Sequence, residues 1–135
     1  MNLYYKTKWK IKEAWWNFRR RCQRFKRGYA YSDVWDIDQW FMDTIKPMLT
    51  HLKEHGCGYP MEFKDRDEWC AILDEMINCL TLMDKDKVEE FLGFGGIEGW
   101  RRMDREDHIH SYETMIKNKN RFFELFNKYF YDLWD

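Results

Sequence analysis

His51 and His55 stand four residues apart, with Cys57 two further on. On a helix the two imidazoles share a face and, with the thiol, could offer three ligands to zinc. A fourth would have to come from Cys70, Cys79, His108 or His110, so the signature is incomplete. The alternative is a pair of exposed or hydrogen-bonded histidines near a helix end, where positive charge is favoured. Asp104, Glu106, Asp107, His108 and His110 form a second polar cluster, able to bind metal or exchange protons, or to serve as the solvated first turn of a last helix. The run GFGGIEG, residues 93–99, invites a phosphate-loop reading, but that loop needs a lysine and a serine or threonine after its last glycine. Here Trp100 and Arg101 follow Gly99, and Glu98 occupies the third glycine position of a dinucleotide fingerprint. Ser32 and Ser111 lie outside any GxSxG elbow, and no cysteine has a neighbouring base in the sequence. No catalytic residue, metal or cofactor is assigned, and the reading is non-enzymatic.

Charge is the stronger signal. Residues 1–27 hold ten Lys or Arg against the single acid Glu13, a formal +9, whereas residues 28–135 carry 13 basic and 23 acidic groups, or −10. Tyr4, Tyr5, Trp9, Trp15, Trp16, Phe18 and Phe25 are interleaved with those cations. Such a segment can neutralise phosphates while stacking on rings, which suits a nucleic acid, a nucleotide or an acidic protein surface. Arg19, Arg20, Arg21, Arg24, Lys26 and Arg27 place six charges within nine residues. A run this dense repels itself unless an anion lies opposite, and the acidic segments 33–43 and 62–75 of the chain itself are the competing occupants. The candidate ligand-binding residues are Lys8, Lys12, Arg19, Arg20, Arg21, Arg24, Lys26, Arg27, Trp16 and Tyr59.

These residues need elements to position them. Ile11, Trp15, Phe18, Cys22, Phe25 and Tyr29 alternate steps of four and three, the mark of one apolar stripe on an amphipathic helix, and Gly28 can end it. A second helix starts within 32–38 and shows Ile37, Phe41, Thr44, Ile45, Met48 and Leu52 at helical spacing, with a kink or break expected at Pro47. HGCGYP, residues 55–60, reads as a loop. Asp65 and Glu68 have capping-box spacing ahead of a third helix whose face is Trp69, Ile72, Leu73, Met76, Leu80 and Met83. A short fourth helix is expected around 85–92, and 93–99 is a hinge or ordered loop. The last helix, within 100–134, keeps Ile109, Tyr112, Ile116, Lys119, Phe123, Phe126, Phe130 and Leu133 in a seven-residue repeat, with Phe122, Leu125 and Tyr129 beside it. That width suggests one face on the chain's own helices and the other on a second copy, a homodimer. No strand-period alternation occurs, so the expectation is all-α: a compact single domain of about five helices, comprising a basic helix to residue 28, a core over 32–83 and the aromatic last helix.

With 135 residues, 26 of them Phe, Tyr or Trp, the chain can bury a core without staples. It shows neither a signal-peptide apolar run nor a membrane-spanning one, so a cytoplasmic location without membrane contact is expected. Four cysteines at spacings of 35, 13 and 9, without CxxC, read as reduced and mostly buried thiols.

The block Ser32-Asp-Val-Trp35-Asp-Ile-Asp38, then Ile45-Lys-Pro47-Met-Leu49, Gly58-Tyr-Pro60 and Asp67-Glu68-Trp69-Cys-Ala-Ile72-Leu73-Asp74-Glu-Met76-Ile77, resembles a widespread group of small, uncharacterised bacteriophage proteins. The likeness covers residues 27–80. It implies a phage accessory protein in the host cytoplasm and carries no catalytic residue over. Within the block, Trp35, Trp40 and Trp69 fall where helices begin or meet. They serve as structure, or they line a pocket with the Gly58-Tyr59-Pro60 loop. Two functions follow as expectations: binding of an anionic, ring-bearing partner, nucleic acid or host nucleotide signal, as counter-defence; or a protein–protein interaction module that redirects an acidic host factor.

Overall fold

A computed structural model describes residues 3–134, with side chains from Lys6 onward, so Tyr4 and Tyr5 of the ring-bearing segment lie outside the described side chains. The described residues form six α-helices and no strand: α1 Leu3–Arg27, α2 Ile37–His55, α3 Arg66–Thr81, α4 Lys85–Phe91, α5 Gly96–Arg102 and α6 Arg105–Lys128. Two 3₁₀ turns, Tyr31–Val34 and Phe130–Asp132, complete the list. The chain divides inside α2 into two compact units, Met1–Trp40 and Phe41–Asp135, where the sequence suggests a single domain.

In the first unit α1 ends as its sequence dictates. Gly28 adopts φ +80°, a conformation that side chains other than glycine's resist, and its N–H donates to the Arg24 carbonyl at 2.8 Å. The 3₁₀ turn then folds back on α1. Arg24 grips Asp33 with two N–H donors, at 3.0 and 2.6 Å, the Asp33 carboxylate accepts the Ala30 N–H at 2.7 Å, and Gln23 Oε1 accepts the Tyr31 N–H at 3.0 Å. Those bonds favour the ionised acid and hold the Asp33 carboxyl down at about 2, Arg24 contributing most. Ser32–Val34 is thus a turn, and α2 begins only at Ile37.

In the second unit α3 packs on α6, and α4 on both α5 and α6. Asp65 caps α3 by accepting the Glu68 N–H at 3.0 Å, while Glu68 reaches back one residue beyond the cap to the Lys64 N–H at 2.9 Å. Trp69 is only 2 % exposed and meets Phe63 and Tyr129 with ring centres 5.5 and 5.4 Å away. Leu73, Met76 and Leu80 continue its stripe, Met42 and Leu49 of α2 join them, and Phe122, Leu125 and Tyr129 close the core. Phe41 lies against Phe122, Phe123 and Phe126 at 5.8–6.0 Å.

Two expectations need revision. Of the two readings at Pro47 the break is overturned, because α2 runs unbroken through the proline, with Thr50 Oγ1 donating to the Lys46 carbonyl at 2.9 Å. The glycine-rich run is a loop only as far as Gly95; from Gly96 it is α5, an added helix beyond the expected five. Gly99 sits inside α5 because a Cβ there would lie 2.2 Å from the Phe94 carbonyl, so the glycine serves close packing and not a turn. Along the last helix Phe122, Leu125 and, just past α6, Tyr129 are buried, whereas Ile109, Tyr112, Phe123 and, in the closing 3₁₀ turn, Phe130 are exposed. The cysteines also differ from expectation: all are free thiols, but only Cys79 is buried, Cys70 is half-buried, and Cys22 and Cys57 are exposed.

Candidate functional site

α1 is a stripe without a core. Trp9, Ile11, Trp15, Trp16, Phe18 and Phe25 are all exposed, Phe25 to 93 %. Gln23 is the sole residue of α1 with a described side chain that is even half-covered. Successive helical residues are turned by about 100°, so the sequence fixes rows along the cylinder. Lys8, Lys12, Arg19 and Lys26 form one row. On one side of it runs the stripe of Ile11, Trp15, Phe18, Cys22 and Phe25, and on the other Trp9 and Trp16, followed by Arg20 and Arg27. A line of cations is therefore bordered on both sides by indoles. Arg19 shows the arrangement directly, its guanidinium carbon standing 5.7 Å from the ring centres of both Trp15 and Trp16, which themselves meet edge to face at 5.9 Å.

Consecutive arginines cannot share a partner on such a cylinder. Arg21 projects away from the row, and Arg24 is engaged by Asp33 in a bidentate pair. Arg27 turns to the local aromatics, 3.9 Å from the Tyr31 ring and 5.0 Å from Tyr29, and its hydrogen bond to the Tyr31 hydroxyl, with its charge, lowers the Tyr31 pKa. Among the described residues no carboxylate comes within ion-pair distance of Lys8, Lys12, Arg19, Arg20, Arg21 or Lys26. The acidic 33–43 segment thus engages Arg24, not the whole cluster.

The hollow among Trp9, Lys12, Glu13, Trp16, Asn17 and Arg20 is a gap between side chains of one helix, so it can receive only something laid along that helix. A smaller apolar hollow, about 270 Å³, is lined by Tyr29, Asp33, Val34, Ile37 and Trp40. Tyr59 is partly exposed but belongs to the second unit, and Trp69, buried in the core, presents no ring for a ligand. Sequence reasoning placed Trp9 and Trp15 among the interleaved rings without assigning them a role; the seven-residue step from Trp9 to Trp16 was the available clue.

The other clusters resolve into helix termini. Asp104 and Asp107 form a reciprocal box, each carboxylate accepting the other's N–H at 2.9 and 3.0 Å, so they start α6. His51 and His55 stack with ring centres 4.3 Å apart, and His55 Nδ1 lies 3.3 Å from the His51 carbonyl. Among the described residues no three His, Cys, Asp or Glu side chains gather as a metal site would require. No described helix is long and apolar enough to cross a membrane. Comparison with protein-family models, curated proteins and solved structures gives no match.

Proposed function

We propose that this chain is a non-enzymatic bacteriophage accessory protein that binds a nucleic-acid strand along α1 in the host cytoplasm, to counter a host defence. The observation that carries the reading is the row Lys8, Lys12, Arg19 and Lys26, which no carboxylate among the described residues pairs with, bordered by Trp15 and Phe18 on one side and Trp9 and Trp16 on the other. Cations take the phosphates and indoles take the base faces, a combination tolerant of sequence. Length favours a strand over a free nucleotide. From Lys8 to Lys26 the helix rises roughly 27 Å, and a single nucleotide would meet one of these cations and leave the others unneutralised. The likeness of residues 27–80 to small phage proteins supports the biological setting.

The exposed apolar row Ile11, Trp15, Phe18 and Phe25 favours a second reading, a protein-interaction module in which a host protein covers that stripe. The outward row of Ile109, Tyr112 and Phe123 on α6, continued by Phe130 in the 3₁₀ turn, would serve a homodimer in the same way. Salt separates these readings from the first. Fluorescence anisotropy of a labelled single-stranded oligonucleotide over a salt series should give a log–log slope of about −3 for four phosphate contacts, at roughly −0.7 per contact. A flat salt response, or no binding at low salt, removes the nucleic-acid reading and leaves the packed protein interface.

A further inference from the structure

Glu89 of α4 is 6 % exposed, and its Oε1 is buried with no hydrogen-bond partner among the described residues. Its nearest cation, Lys85 Nζ, stands 3.8 Å away, beyond hydrogen-bond reach. A buried carboxylate oxygen lacking a donor is costly, and such groups persist where another molecule supplies the proton. Glu89 lines a groove of about 670 Å³ between α4 and the start of α5, together with Lys85, Asp86, Glu90, Gly95, Gly96, Ile97 and Trp100. With Lys87 holding Glu90 at 3.0 Å, the acids Asp86, Glu89 and Glu90 still outnumber the cations Lys85 and Lys87, the opposite of α1. Trp100 is 51 % exposed and keeps its ring edge to face with His108 at 6.1 Å, so an indole is held at the groove wall.

We propose that this groove binds a small alkylguanidine or alkylamine, with the cationic head donating to Glu89 Oε1 in the place Lys85 now approaches, and the alkyl chain lying along Ile97 and Trp100. The Asp86 carboxylate takes a second positive end, since Glu90 is already held by Lys87 at 3.0 Å, and the Trp100 face favours a cation over a neutral donor. The groove volume falls in the range of small-molecule sites. Anions are excluded by the same three acids, so this site is distinct in chemistry from the α1 row and does not depend on it.

Agmatine, with a guanidinium at one end and an ammonium at the other, is the probe. Titrated into isotope-labelled protein, it should produce saturable amide shifts at Glu89, Glu90, Gly95 and Gly96 and a shift of the Trp100 indole N–H. Glu89→Gln keeps the shape and removes the charge. It should weaken agmatine by about tenfold or more, as loss of a charged hydrogen bond does, with no fall in melting temperature. Lys85→Met removes the competing cation and should tighten binding. The proposal is overturned if wild-type protein shows no saturable shifts at millimolar agmatine, or if Glu89→Gln binds equally well. A marked loss of thermal stability in Glu89→Gln also overturns it, since Glu89 would then be held by Lys85 as part of the fold.

Discussion

α1 and α6 are nearly equal in length, 25 and 24 residues, and both space their aromatic residues three and four apart, yet they end in opposite environments. At α6 the row Phe122, Leu125 and, one residue past its end, Tyr129 is buried against Trp69, Leu73 and Met76, and on α1 the row Ile11, Trp15, Phe18 and Phe25 faces solvent. The contrast shows what helical periodicity reports: a face, not its occupant. What distinguishes the two is the company of each stripe. The α6 core row meets α3, which presents its own apolar face, whereas the α1 stripe runs beside unpaired cations that no core would admit. The proposed strand-binding role of α1 rests on this pairing of exposed rings with charges at its surface.

The largest effect expected tests the buried side of that contrast. Trp69→Ala should cost about 3–5 kcal/mol in chemical denaturation, through lost burial and the cavity left between Phe63 and Tyr129. A loss comparable to that of a surface change, within about 0.5 kcal/mol, would mean the second unit does not depend on its central ring.

The open side is tested by the quadruple change of Lys8, Lys12, Arg19 and Lys26 to Gln. Oligonucleotide affinity at low salt should fall by roughly 100-fold or more as phosphate contacts disappear, and the melting temperature should stay put. If melting collapses with binding, the row is part of the fold and the two helices are alike after all. Arg21→Gln, pointing away from the row, sharpens the same comparison, because its effect on affinity should be several times smaller than that of Arg19→Gln.

Much of this contrast was legible beforehand. Asp65 and Glu68 announced α3, Trp69, Leu73, Met76 and Leu80 announced its buried face, and the 4-3 spacing from Ile11 with Gly28 announced α1 and its end. Other features were not. α5 was hidden because Gly96 and Gly99 lower helix propensity, and the reason for Gly99, the Phe94 carbonyl lying against it, exists only in three dimensions. The buried row of α6 was ambiguous because both of its rows obey the same period. Arg24 looked equivalent to its neighbours until the chain turned at Gly28 and brought Asp33 beside it, and the burial of Glu89 left no trace in a run of ordinary charged residues.

Smaller effects refine the two regions. Arg121 of α6 holds Glu75 of α3 with N–O distances of 2.6 and 3.2 Å, and Glu75 with Glu124 pushes its pKa further up. The pair stands at the core's rim with both side chains substantially exposed, so Arg121→Met should cost no more than about 1 kcal/mol. In the first unit Asp33 provides a pH-dependent contact. Its carboxyl is depressed from 3.8 to about 2, so the stability it adds is fully present above the unfolded value and fades as pH falls through the folded one. Amide exchange of Ala30 and Tyr31 should accelerate, relative to its intrinsic rate, as pH drops from 4 towards 2, and Asp33→Asn should abolish that acid step.

The central claim is that α1 receives a nucleic-acid strand between its cations and its indoles, and photocrosslinking tests it most directly. A bromodeoxyuridine-substituted single strand, irradiated with the full chain and mapped by peptide mass spectrometry, should give adducts concentrated on Trp9, Trp15 and Trp16, lost at high salt and in the quadruple Gln variant. Adducts centred on Tyr59 or elsewhere in residues 41–135, or no adducts at salt concentrations low enough for phosphate contacts to form, would contradict it.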